Sequence, residues 1–251
     1  MTAARPGLKN TGLVDIPFAL PRVTPKARDR AGQLLAALRK HYPHAHCELN
    51  YKNPHELLVA TILSAQSTDV GVNKATPALF RAFPTPADYA RSSPAAIEPF
   101  IKTIGLFRNK AKSIHAAMKD VHERFGGEVP RTMDELLSLR GVGRKTAGVV
   151  LGNAFNINVG VVVDTHVERL SHRFGLAPQK TPIPKVEQKL MALFPRESWC
   201  DLSHLLIFHG RYCCKARMAQ CSNHEICQTF GTSCELRITA RKKTHKRAAT
   251  A

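Results

Sequence analysis

The stretch Leu139-Arg140-Gly141-Val142-Gly143-Arg144-Lys145-Thr146-Ala147 decides how this chain is read. It joins two helical segments through a Gly-x-Gly turn. Thr132, with Glu135 three residues later, opens the first segment as a capping box that closes at Gly141; the second runs from Gly143 to Phe155. Glycine reaches backbone angles that other residues avoid and leaves no side chain where a bulky ligand must approach. Successive amide N–H groups in such a turn, followed by a helix N-terminus, make an anion site that fits a phosphate. Taken alone, the same turn is equally a tight helix–helix connection.

Lys145 shifts that balance. A cation in the first turn of a helix faces the positive end of the macrodipole, a placement disfavoured by ~0.3–1 kcal/mol. That field, with Arg144 adjacent, is expected to lower the lysine pKa and enlarge its neutral, nucleophilic fraction. An activated amine is what Schiff-base chemistry at a sugar aldehyde carbon requires. Spacing alone also admits a solvated lysine paired with DNA phosphate. Nineteen residues on, Val163-Asp164-Thr165-His166-Val167 supplies a carboxylate. In isolation Asp164 reads as the N-cap of a helix running to Phe174. Facing Lys145 across a cleft, it would also stabilise positive charge on a deoxyribose and assist proton transfers.

Outward from this hairpin the signals are helical. Thr24-Pro25 gives an N-cap and a first-position proline, and Leu34, Leu35 and Leu38 share one face of Ala31 to Arg39. Further helices fit His55 to Ser64, Thr68 to Phe83, Ser93-Pro94 to Gly105, Arg108 to Phe125, Thr165 to Phe174, Pro184 to Leu193 and Ser198 to Phe208. Only Ile157 to Val163 has a β-branched composition suited to a strand. One strand forms no sheet, so the expected fold class is all-α. Residues 1–24 are expected to form a flexible arm. Residues 237–251, with Arg241, Lys242, Lys243, Lys246 and Arg247, are expected to form a basic, disordered tail.

Composition bounds the partners. Lys and Arg number 37 against 19 Asp and Glu in 251 residues, a formal charge of +18 that favours capture of a polyanion. No continuous amphipathic basic helix points to a membrane surface, and no run approaches the ~18 apolar residues of a spanning helix. The N-terminus lacks the apolar core of a signal peptide. The chain is therefore expected in the cytoplasm, at the nucleoid if bacterial, with nucleic acid as its partner. Of seven cysteines, Cys213, Cys214, Cys221, Cys227 and Cys234 crowd one C-terminal segment, the pattern of an intracellular metal site rather than of disulfides.

Several segments now align in order with one family. Leu57-Leu-Val-Ala-Thr-Ile-Leu-Ser-Ala-Gln-Ser-Thr-Asp-Val70, Ile101-Lys-Thr-Ile-Gly-Leu106, Gly141-Val-Gly-Arg-Lys-Thr-Ala147, Val163-Asp-Thr-His166 and His209-Gly-Arg-Tyr212 together resemble the helix–hairpin–helix glycosylase superfamily and, within it, endonuclease III. The resemblance spans about Pro25 to Cys234. It implies a DNA glycosylase with abasic-site lyase activity, acting as a monomer on damaged double-stranded DNA. Lys145 would attack the anomeric carbon, expel an oxidised pyrimidine and form an imine, after which elimination of the downstream phosphate nicks the strand; Asp164 would be its catalytic partner. Gln66 would fill the space of the flipped nucleotide and Leu106 would wedge between bases. In isolation Gln66 reads as a helix-end cap and Leu106 as core.

The resemblance also implies two helical domains, one at 47–158 carrying the hairpin, the other discontinuous at 25–46 plus 159–236 and ending in an iron–sulfur cluster loop. Arg140, Gly141, Gly143 and Arg144 become candidate phosphate contacts. His166 is a candidate DNA contact, with packing beside the cleft as the alternative. The family spaces its four cluster cysteines by six, two and five residues. Here Cys214 and Cys221 keep the first gap, but five and then six residues separate Cys221, Cys227 and Cys234, and His224 stands where the family's third cysteine falls. A loop insertion that keeps Cys214, Cys221, Cys227 and Cys234 as ligands of a [4Fe-4S] cluster is the simplest account. A His224 ligand and a zinc site are alternatives, although the short gaps of zinc sites are absent. Cys213 is expected to point elsewhere. Lys215 and Arg217, in the first loop of the cluster, would face DNA phosphate. Arg140 replaces the family's usual proline. A non-enzymatic DNA clamp built on the hairpin, or a monofunctional mismatch glycosylase, are the competing functions; Lys145 with Asp164, Gln66 and Leu106 argues against the first, and Lys145 against the second.

Overall fold

The computed structural model describes residues 16, 18–217, 221 and 224–232, and among these every regular element is helical. The helices are α1 (Pro25–His41), α2 (Pro54–Ser64), α3 (Asp69–Ala82), α4 (Pro86–Arg91), α5 (Pro94–Ile101), α6 (Phe107–Arg124), α7 (Met133–Ser138), α8 (Arg144–Phe155), α9 (Thr165–Arg173), α10 (Ile183–Leu193), α11 (Trp199–Tyr212) and α12 (Glu225–Phe230). None of them is long and apolar enough to cross a membrane.

Local chemistry sets the helix starts. Thr24 Oγ1 accepts from Ala27 N at 3.2 Å beside the first-turn proline of α1, while Arg39, Lys40 and His41 meet the negative end of that helix. Asn53 caps α2 by accepting from Glu56 N at 2.9 Å. Thr132 caps α7 as expected, accepting from Glu135 N at 3.3 Å. The reciprocal capping box forms at Thr85 with Asp88, which opens the short α4 that apolar periodicity does not reveal. The α12 helix, folded within the cysteine segment, has too few residues for a periodic signature. The α5 helix stops at Ile101, four residues before Gly105, and α11 continues past Phe208 to Tyr212.

Burial divides into two apolar cores. One gathers Leu34 and Leu38 of α1 with Leu170, Phe174, Leu190, Trp199, Leu206 and Ile226 from the C-terminal helices. The other is built around α2, whose residues Leu57 to Leu63 are buried on all sides, with Ile97, Ile114, Met118, Leu136 and Leu151 packed about it. The chain passes between the cores along Ile157 to Val163. That segment is irregular, with a bend at Gly160 and no strand: Val161 and Val163 anchor in the first core, and a side chain at Gly160 would collide with the Glu187 carboxylate.

Candidate active site and cysteine cluster

The hairpin between α7 and α8 is shaped by its two glycines in different ways. Gly141 has φ +80, and a Cβ there would lie 2.7 Å from Ser113 Cβ, so conformation and packing both require glycine. Gly143 is the extended N-cap of α8 at φ −98, and nothing within 4 Å meets a Cβ built on it. Its exposed face is open to solvent. Arg140 and Lys145 are exposed on either side of the turn. Arg144 instead folds back onto Glu187, donating at 3.1 and 2.8 Å, with the Phe18 ring 5.8 Å from its guanidinium carbon.

Lys145, in the first turn of α8, and Asp164, the N-cap of α9, line one cavity of about 200 Å³ between the two cores. Asp164 Oδ1 accepts from His166 N and Val167 N at 2.8 Å each, so it caps its helix while remaining on the cavity wall. Gln66 also lines this cavity, at the exposed end of α2, and Leu106 projects to solvent with 59% of its surface exposed. Both sit in the left-handed region, Gln66 at φ +54 and Leu106 at φ +58, where a side-chain-bearing residue is strained. An exposed leucine held at such an angle is not a core leucine. His166 packs against α11: Arg169 Nη2 reaches its Nδ1 at 3.2 Å, and a Cβ on Gly210 would crowd the same ring.

The cysteine segment folds onto the end of α11. Cys214 and Cys221 bring their sulfurs to 3.6 Å, and His209 Nε2 lies 3.1 Å from Cys227 Sγ; all four residues are buried. Ligand atoms of His209, Cys214 and Cys227 lie within 4.8 Å of one another, as do those of His209, Cys213 and His224. Arg173 donates to Cys214 Sγ at 3.0 Å and to Lys215 O at 2.7 Å. The Cys214 thiol is held below its ordinary value, first by its hydrogen bond with Cys227 and then by Arg173. Converging sulfurs next to a guanidinium suit thiolate ligation of a metal. Cys213 does not point elsewhere. Its N–H and that of Cys214 both donate to His209 O, at 3.0 and 2.7 Å, and this tight turn buries both thiols in one place, with Cys213 hydrogen-bonded to Cys227. Lys215 and Arg217 are exposed at the start of the loop, and Cys234 lies outside the described residues.

The HhH-GPD superfamily base excision DNA repair protein family matches residues 59–196. An endonuclease III of Synechocystis sp. is 49% identical over 208 residues, covering 83% of this chain and 94% of that protein. The endonuclease III of Escherichia coli K12 is 44% identical over 76% of this chain and 90% of its own length. This chain belongs to the endonuclease III family of the HhH-GPD superfamily. A solved endonuclease III, trapped as a covalent intermediate with DNA, superposes on it with a TM-score of 0.78 at 42% identity, covering 84% of this chain and 98% of that one.

Family motifs name Lys145 and Asp164, yet the cavity holds polar residues that they leave unnoticed. Asp69, the first residue of α3, and Glu48 share the guanidinium of Arg211, which donates to Asp69 Oδ2 at 2.6 Å and to Glu48 Oε2; Tyr212 adds a 2.8 Å bond to Glu48 Oε1. The Asp69 carboxyl is pushed above its ordinary value by burial, against the pull of Lys145 and with the push of Asp164. Cys200 and His204 of α11 line the inner wall, where His204 Nε2 meets Asn153 Oδ1 at 2.8 Å. Asp69 and Arg211 lie within the segments Leu57 to Val70 and His209 to Tyr212, but nothing in either segment pairs them, because the contact joins residues far apart in the chain.

Proposed function

We propose that this protein is a bifunctional DNA glycosylase and abasic-site lyase of base excision repair that removes oxidised pyrimidines from damaged double-stranded DNA. One observation carries the reading. An amine from the start of α8 and a carboxylate from the start of α9 share a single cavity large enough for part of an extruded nucleoside. The Lys145 amine attacks C1′ of the flipped nucleotide, the C1′–N bond breaks, and the base leaves after taking a proton. The lysine nitrogen gives up a proton, the C1′–O4′ bond breaks with O4′ taking a proton, and the sugar ring opens to an imine that acidifies C2′. Loss of a C2′ proton and departure of the 3′ phosphate nick the strand. Asp164 faces the cationic sugar and supports its charge and proton transfers.

Gln66 and Leu106 occupy and hold the space of the extruded nucleotide. Arg140, the open Gly143 face, Gly141, Lys215 and Arg217 meet phosphate, while Arg144, through Glu187, and His166, through α11, steady the frame around them. The two apolar cores support a discontinuous domain of 25–46 plus 159–236 around a 47–158 domain. Cys214, Cys221, Cys227 and Cys234 hold a [4Fe-4S] cluster, which when bound anchors the loop bearing Lys215 and Arg217. The test is a duplex carrying thymine glycol, analysed for both released base and strand scission. Wild type should yield both products and Lys145→Ala neither. Base release without scission would leave a monofunctional glycosylase.

A further inference from the structure

Lys110 is an unusual residue for a buried position: it is 6% exposed, and all three of its ammonium donors are used. Its Nζ donates to Leu63 O at 2.8 Å, Ala65 O at 2.6 Å and Ser67 Oγ at 2.9 Å. The first two acceptors are main-chain carbonyls at the C-terminal end of α2, where intrahelical partners run out and the helix end is negative. Between Ala65 and Ser67 stands Gln66 at φ +54. Lys110 also closes the first turn of α6, its own N–H donating to the carbonyl of Leu106 at 3.0 Å; Leu106 is the left-handed N-cap of that helix at φ +58.

One residue thus grips both strained positions, by its side chain at Gln66 and by its main chain at Leu106. Burying an ammonium costs several kcal/mol unless its donors are fully met. An apolar residue would fill the same space without that penalty, but it could not fix two carbonyls and a hydroxyl. A left-handed conformation at a residue other than glycine is disfavoured by about 1–2 kcal/mol and persists only where its surroundings hold it. We infer that Lys110 is a positioning residue for base extrusion, a buried cationic clamp that locks the Gln66 turn and the Leu106 turn into one rigid probe before DNA arrives. This rests on the reading of Gln66 and Leu106 as the residues that enter the duplex.

The test uses the cluster-loaded enzyme with a duplex in which 2-aminopurine lies opposite a tetrahydrofuran abasic analogue, so that its fluorescence reports invasion of the helix. Lys110→Met keeps the stem and removes the donors; it should reduce the fluorescence amplitude and lower kcat/KM on thymine glycol by about 10-fold, but by only about 2-fold in a Gln66→Ala background. Equal losses in both backgrounds, or wild-type amplitude in Lys110→Met, would overturn the clamp. If Gln66→Ala and Leu106→Ala both leave the amplitude unchanged, the probe reading itself fails and takes the clamp with it. Should Lys110→Met not fold, Ser67→Ala removes one acceptor and should show the same non-additivity with Gln66→Ala, at about 3-fold; additive behaviour there overturns the clamp equally.

Discussion

Arg211 holds Asp69 at 2.6 Å across the cleft, joining the end of α11 to the first residue of α3. The same guanidinium binds Glu48, so two carboxylates that border the Lys145 cavity share one cation. Replacing Arg211 by Met would leave both carboxylates half-buried and unpaired, beside a site that must receive a polyanion. Loss of these charge-assisted bonds should cost about 1–3 kcal/mol of stability. Thermal unfolding would show the stability loss, and KM should rise more than kcat falls. An unchanged KM would mean that the ion pair serves the fold alone.

Asp69 supplies a pH signature. Its folded-state pKa is raised, chiefly by burial. A carboxyl of this kind contributes stability that is fully present below its unfolded pKa and is lost as pH rises through the folded value. Asp69→Asn removes that loss. Relative to wild type, the variant should therefore gain stability as pH climbs above about 4. Parallel stability profiles for the two proteins would contradict the raised pKa.

The two hairpin glycines separate fold from binding. Gly141→Ala combines a positive φ with a 2.7 Å clash against Ser113 and should destabilise the protein by about 1–3 kcal/mol. Gly143→Ala meets nothing within 4 Å, so its stability should change by no more than about 1 kcal/mol while DNA affinity falls. Binding isotherms alongside melting curves check this pair. Retained affinity in Gly143→Ala would remove the open face of Gly143 from the phosphate site.

Much of this was legible in the sequence because it is local. The Thr24, Thr132 and Asp164 caps, the helix at Leu57, and the hairpin all follow from neighbouring residues. The ion pairs of Arg144 with Glu187 and of Arg211 with Asp69 were not legible, because each joins segments far apart in the chain whose docking no spacing rule encodes. The phosphate reading of Arg144 rests on its helix position, which is local, whereas its Glu187 partner emerges only when distant segments dock. Lys110 was hidden for a further reason: a lysine on an amphipathic helix ordinarily faces water, and only the packed structure shows that this one is buried. Cys213 was misjudged because adjacent residues usually diverge, whereas here both N–H groups turn onto one carbonyl.

The cysteine segment yields a compositional prediction. Ser substitutions at Cys214, Cys221 and Cys227 should each reduce iron and sulfide content and bleach the visible absorbance of a [4Fe-4S] cluster, and His224→Ala should leave both intact. Iron retained in Cys227→Ser but lost in His224→Ala would make His224 the ligand. Removing the iron should also weaken DNA binding, because Lys215 and Arg217 lose their anchored loop, and should do so most at low salt.

Arg140→Pro restores the residue usual in the family. Leu139 already sits at φ −77 and ψ 136, the extended region that a following proline demands. The substitution should therefore be accommodated, with about 0.4–1 kcal/mol gained from a stiffer unfolded chain and a modest rise in KM from the lost cation. Complete inactivation would show that Arg140 does more than touch phosphate.

Borohydride trapping bears most directly on the lysine chemistry. A thymine glycol duplex incubated with enzyme and borohydride should give a covalent protein–DNA adduct, mapped by mass spectrometry to Lys145 and absent from Lys145→Ala. An adduct on another residue, or base release by wild type with nothing trapped, would contradict an imine at the start of α8.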